Sequence, residues 1–189
     1  MYAPTPHRFT VREYYRMAEV GILREGERVE LLEGQVVQMT PIGSRHAGTV
    51  SLLASLLGRA YGQDAIISVQ NPLRVGDLSE PEPDIAVLRP RDDFYRDSHP
   101  TPPDVLLLIE VADTSSGLDR AGKAEIYARA GIAHYWIVDL AAGEVVVHLR
   151  AENGRWSSVR TASPDDSLPL PGLLGASVPV RVLLPSARA

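Results

Sequence analysis

The sequence predicts an α/β fold: a mixed β-sheet flanked by helices, with a helix and a hairpin ahead of it and a β-hairpin towards its end. Three observations carry that prediction. Residues 105–111 and 135–140 are almost unbroken apolar runs, the pattern of central strands covered on both faces. Between them, from about Asp119 to Ala130, lies a helical stretch closed by Gly131. A strand, a helix and a second strand in that order imply parallel pairing through a right-handed crossover.

The remaining elements follow in chain order. Thr10 and Glu13 have the spacing of a capping box ahead of a first helix over 11–20, which Gly21 would end. Residues 29–32 and 35–39 flank Glu33-Gly34 and read as a hairpin on a tight turn. From 44 to about 61, Val50, Leu53 and Leu57 recur at helical spacing, Leu52 and Leu56 widen the stripe, and Gly62 is the stop signal. Strands are expected at 66–69 and at 85–88, the second lying between Pro83 and Pro90. Residues 144–150 and 155–159 flank Asn153-Gly154 and form the expected hairpin. Prolines multiply beyond Ser163, which predicts an irregular tail with one short strand at 178–184. No repeat or low-complexity linker interrupts the chain, so residues 1–189 are read as one domain.

Composition narrows the function. A chain of 189 residues that is 44% hydrophobic and 23% charged can bury a core without staples. No run approaches the roughly 18 apolar residues of a membrane-spanning helix. The first ten residues lack the apolar core of a secretory signal. The absence of cysteine removes disulfides and thiolate metal sites, and a reducing cytoplasm is the expected compartment. The formal net charge of −5 argues against holding nucleic acid by bulk electrostatics, because phosphate neutralisation drives that kind of binding. An enzyme needs only a local positive track, and acids gathered around a metal would account for part of the negative sum.

The chemistry starts from an acid that ends an apolar strand, Glu110 after Val105-Leu106-Leu107-Leu108-Ile109. A carboxylate in that position is costly unless it is paired or bound to a metal. Asp84 opens the preceding strand, and if the two strands are neighbours the acids can converge on one cation. Oxygen ligands suit Mg²⁺ or Mn²⁺ better than Zn²⁺. The alternatives are a turn acid after Pro83 and a satisfied acid at a strand end. Removing one charge from so crowded a cleft is expected to stabilise the metal-free chain. Lys123, Tyr127 and Ala130 fall along one face of the next helix, which should pack on the sheet and turn Lys123 inward towards Glu110. Its alternative is a solvated lysine on an exposed face.

Pro83-Asp84, Glu110-Val111-Ala112 and a lysine on the following helix resemble the PD-(D/E)XK nuclease superfamily, and more narrowly its bacterial branch of Uma-type restriction endonucleases. The likeness extends over most of the chain. It takes in Val29-Glu30-Leu31-Leu32-Glu33-Gly34, Ser44-Arg45-His46, Glu82 to Val87 and Ile109-Glu110-Val111. Its longest stretch runs from Tyr127 to Ile132 and on through His134 to Asp139. The resemblance implies a restriction-endonuclease-like core and a Mg²⁺ or Mn²⁺ ion held by Asp84 and Glu110, with the carbonyl of Val111 as a further ligand. It implies hydrolysis of DNA phosphodiester bonds, with RNA left open, by a homodimer whose two centres serve two strands. The chain departs from the superfamily pattern at Ala112, which stands where the strand lysine belongs, and Lys123 is the matching residue on the helix. Glu30 matches an early acid of the branch, reaching the metal through water or forming a structural salt bridge.

Other polar residues have weaker readings. His46, at a helix start, is a contact to phosphate or metal, a cap or a core-edge histidine. Gln70 either reaches the cleft or serves a turn with Asn71-Pro72. Asp113, Thr114 and Ser115 line the site's mouth or form an ordinary loop. Tyr135 and Trp136 read as core or interface. Asp119 is the expected N-cap of the lysine's helix, with Arg120 near enough to meet a phosphate. The functional reading opposed to a nuclease is a binding module that keeps the fold without turnover.

Overall fold

The computed structural model describes residues 5–113 and 117–184. The first helix, α1 (Val11–Glu19), starts at the predicted capping box. The Thr10 hydroxyl accepts from the N–H of Glu13, and the Glu13 carboxylate accepts from the N–H of Thr10 at 2.8 Å. Strands β1 (Val29–Leu32) and β2 (Gln35–Gln38) form a separate antiparallel hairpin. Glu33 and Gly34 both take positive φ, 51° and 80°, as a two-residue turn of the twist-matching type requires. Helix α2 (Ser44–Tyr61) follows and stops at Gly62.

A six-stranded sheet fills the centre in the order β3-β4-β5-β6-β7-β8. Its strands are β3 (Ile66–Val69), β4 (Ile85–Leu88), β5 (Val105–Ala112), β6 (His134–Asp139), β7 (Glu144–Glu152) and β8 (Arg155–Ala162). Only β5 and β6 run parallel, joined through α3 (Gly117–Arg129) as the strand–helix–strand order predicts. The sheet is therefore mixed.

Period-two alternation sends the strand residues to two cores. Ile85, Val87, Leu107 and Ile109 pack with Val50, Leu53 and Leu57 of α2. Ala86, Leu88, Leu108 and Ala112 pack with Ala124 and Tyr127 of α3. Helices thus cover both faces of β4 and β5, which is why these strands read as unbroken apolar runs. Tyr135 and Trp136 are core residues, Tyr135 stacking against Trp156.

Two boundaries differ from expectation. Helix α3 starts at Gly117, so Asp119 falls within its first turn instead of capping it. The tail carries a short antiparallel pair, β9 (Ser167–Pro169) and β10 (Ser177–Pro179), and Val180–Val182 is a 3-10 turn where a strand over 178–184 was expected. The physical cause is Pro179, which has no N–H with which to continue a ladder, while the next N–H, on Val180, turns back to the Asp166 carbonyl at 2.9 Å.

Candidate active site

Strand register brings the acids together. In the β4–β5 pair Ile85 stands opposite Ile109, so one step outward Asp84 stands opposite Glu110. In the β3–β4 pair Val69 stands opposite Ile85, which places Gln70 opposite Asp84. Asp84 is buried, and donors from three elements hold its carboxylate. Oδ2 accepts from the Val111 N–H at 2.8 Å and lies 3.0 Å from His46 Nε2, in the first turn of α2. Oδ1 accepts from Gln70 Nε2 at 3.0 Å.

Glu110 faces α3, as its place between Leu108 and Ala112 requires. Its Oε1 accepts from Lys123 Nζ at 3.2 Å and from the Tyr127 hydroxyl at 3.1 Å. Lys123 is buried, and its ammonium also lies 3.0 Å from Glu30 Oε2. Glu30 reaches it from β1 and accepts in addition from the Glu82 N–H at 3.0 Å. One ammonium is thus shared between two carboxylates delivered by different sheets.

The charges are unbalanced. Glu30, Asp84 and Glu110 against Lys123 leave an excess of two negative charges when all are ionised. Burial pushes the Glu110 carboxyl up to about 7; Lys123 opposes the rise, while Asp84 and Glu30 add to it. Asp84 goes the other way. Burial works to raise it, but the bonds from His46, the Val111 N–H and Gln70 outweigh that and hold it below the usual aspartate value. Lys123 loses solvation on burial, yet the two carboxylates hold its proton more tightly than water does. The bond to Asp84 raises the His46 pKa against the effect of its burial.

These side chains line a cavity of about 520 Å³. Arg28, Gly43, Ala112 and Asp113 contribute to its walls, and Met39, Pro41 and Ile42 form an apolar rim. Arg45 stands outside it, bonding Asp113 at 3.2 Å and the Leu140 carbonyl at 2.7 Å.

A family model described as "Putative restriction endonuclease", Uma2, matches residues 11–181, a span that contains every residue of this cavity. The chain belongs to the Uma2 family. A crystal structure described as that of a putative nuclease from Anabaena variabilis is similar over 93% of this chain and 97% of its own, with a TM-score of 0.69. At 16% identity that likeness bears on the fold alone. No curated protein matches the chain.

The donor set of this Uma2 chain suits a particular kind of cation. Among the described residues no three His, Cys, Asp or Glu side chains group closely enough to cage an ion. Mg²⁺ needs no such cage, since it keeps several waters and binds through one or two carboxylates. Asp84 has three described donors against roughly four lone-pair directions of a carboxylate, so a direction remains on Oδ1. Glu110 is held through Oε1, and both acids border the cavity. The excess negative charge favours a cation between them. The residues fit a hydrated Mg²⁺ or Mn²⁺.

The expected residues Glu30, Asp84, Glu110, Val111 and Lys123 all border this one cavity. Glu30 pairs with Lys123 at the wall of this cavity. Asp113 lines the mouth. Thr114 and Ser115 lie outside the described residues, as do the side chains of Asp119 and Arg120. His46 is neither a cap, which falls at Gly43, nor a plain core residue, because it bonds Asp84. Gln70 turns the chain and also enters the site. Tyr127 joins the site without having been among the expected residues, although its spacing of four from Lys123 sets both side chains over the same strand.

Proposed function

We propose that this chain is a divalent-metal-dependent phosphodiester hydrolase acting on DNA, with Asp84 and Glu110 as ligands to Mg²⁺ or Mn²⁺ and the Val111 carbonyl as a further one. Membership of a family described as restriction endonucleases supports a nuclease. The observation that carries the metal reading is the convergence of a buried aspartate, a partly buried glutamate and a buried lysine from three elements on one open cavity. When bound, the cation would supply an activated water and charge neutralisation at the phosphate.

The chain's own residues have separable tasks. Val111 N–H and His46 keep Asp84 ionised and fixed. Glu110, held through Oε1 by Lys123 and Tyr127, would offer its other oxygen to the cation. Lys123 stands at the cavity wall with its charge held on by Glu30, placed to neutralise the phosphate or orient the attacking water. Glu30 acts through that lysine. Cleaving both strands of a duplex needs two centres, and a homodimer in the cytoplasm is the assembly we propose; sedimentation of the purified chain measures it. RNA is the competing substrate.

Plasmid nicking in the presence of Mn²⁺ tests the activity. The parent should nick, and Lys123→Met should lower turnover strongly with little change in Mn²⁺ affinity, since the ammonium's work lies in the transition state. Cleavage by Lys123→Met at the parent rate would remove the lysine from the mechanism. A parent inert on DNA and RNA alike would favour the binding module.

A further inference from the structure

Gln70 takes a left-handed backbone, with φ at 50°. Residues with a Cβ are disfavoured there, and Gly or Asn is the usual occupant. Of the described non-glycine residues at positive φ, Gln70 is the one that lines the carboxylate cavity. Neither Gly nor Asn could do what this side chain does: glycine has no amide, and asparagine is one methylene shorter. The N–H of Gln70 donates to the Asp84 carbonyl at 3.2 Å, and the side-chain amide donates to Asp84 Oδ1 at 3.0 Å. The two bonds grip the same residue, one at its main chain and one at its carboxylate. Oδ2 is already held by Val111 and His46. With both oxygens bonded, the carboxylate plane cannot rotate, and the remaining lone pair of Oδ1 keeps one direction.

We propose that Gln70 is a positioning residue, whose disfavoured backbone delivers an amide that fixes the rotation of the Asp84 carboxylate for cation binding. The strain is maintained because relieving it would release that amide, and strained residues of this kind gather at sites for such reasons. The inference rests on the metal reading above, but it can fail separately. Hydrogen-bonding partners of metal ligands usually change affinity ten- to a hundredfold when removed.

Two substitutions separate positioning from structural support. Gln70→Gly removes the amide and the strain together, whereas Gln70→Met removes the donor and keeps the strain. Both should weaken Mn²⁺ binding about tenfold by calorimetry. Their melting temperatures should diverge, with Gln70→Gly no lower than the parent and Gln70→Met lower. Parent-like Mn²⁺ affinity in Gln70→Gly would overturn the inference while leaving the metal reading intact. A fall in melting temperature in Gln70→Gly that matches its loss of affinity would also overturn it, as structural support alone would produce that. A parent that takes up no Mn²⁺ would overturn the metal reading, and this inference with it.

Discussion

Asp84 and Glu110 face each other across two strands, and burial works to raise both, yet their pKa values shift in opposite directions because their donors differ. Asp84 accepts from a main-chain N–H, a histidine and an amide, whereas Glu110 shares one ammonium with Glu30. The stabilisation expected from removing a like charge therefore applies to Glu110 and reverses for Asp84, where Asp84→Ala would strand buried donors. Glu110 has a folded pKa near 7, above its ordinary 4.5, so the folded state holds the proton more tightly. Its contribution to stability is fully present below about pH 4.5 and is lost as the pH rises through 7. Glu110→Gln should accordingly match the metal-free parent in stability near pH 4 and exceed it near pH 8, by on the order of 2 kcal/mol. Denaturant melts at the two pH values measure this; an equal gain at both would remove the proton from the explanation. Lys123→Met should cost about 3 kcal/mol at pH 8, since it leaves the carboxylates of Glu30 and Glu110 without their shared cation, and less in acid as Glu110 protonates. The inward lysine was legible from its spacing to Tyr127. The roles of Gln70 and His46 were not, because they depend on register between strands distant in sequence and on one backbone dihedral angle.

Among the elements, the β1–β2 hairpin stands apart from the central sheet yet supplies Glu30. It is tied down at several points. Arg129 at the end of α3 pairs with Glu33, the Glu33 N–H donates to Ser79 Oγ at 2.9 Å, and the Glu80 N–H donates to the Leu31 carbonyl at 2.8 Å. Its turn also accepts the N–H of Phe9, so the chain passes close against Gly34. A Cβ there would lie 2.6 Å from Arg8 Cβ and 2.9 Å from Arg8 Cα, at a φ of 80°. Gly34→Ala should cost about 2 to 3 kcal/mol, combining backbone strain with a clash that the main chain must absorb. Gly131→Ala, at a φ of 78° but with nothing within 4 Å, should cost only about 1 kcal/mol. Thermal or denaturant melts of the pair decide this, and equal losses would show that strain alone matters at Gly34. The hairpin itself was readable from Glu33-Gly34 between alternating strands, and α2 from its apolar spacing. The irregular tail was readable from its prolines, but its short strand ends at Pro179 and does not run to 184, because a proline cannot continue a ladder.

For the whole molecule, the net charge of −5 and the excess of acid in the cavity oppose a phosphate backbone until a cation arrives. Duplex DNA should therefore bind more tightly when Mn²⁺ is present, and the gain should be lost in Asp84→Asn. Equal affinity with and without the cation, in gel-shift titrations at fixed salt, would place the DNA contact elsewhere on the surface. The mixed sheet and its parallel centre were legible, since unbroken apolar runs and a strand–helix–strand order leave few arrangements, whereas the adjacency of β4 and β5 followed only from the convergence that Asp84 and Glu110 require. How tightly the carboxylates would be held was not, because it depends on donors that converge only after folding. The central claim is that Asp84 and Glu110 share one hard cation, and calorimetric titration of Mn²⁺ into the parent and Asp84→Asn tests it most directly. The account predicts one ion per chain for the parent and a sharply weakened or absent signal for the variant. No uptake by the parent, or the same uptake by a folded Asp84→Asn, would contradict it.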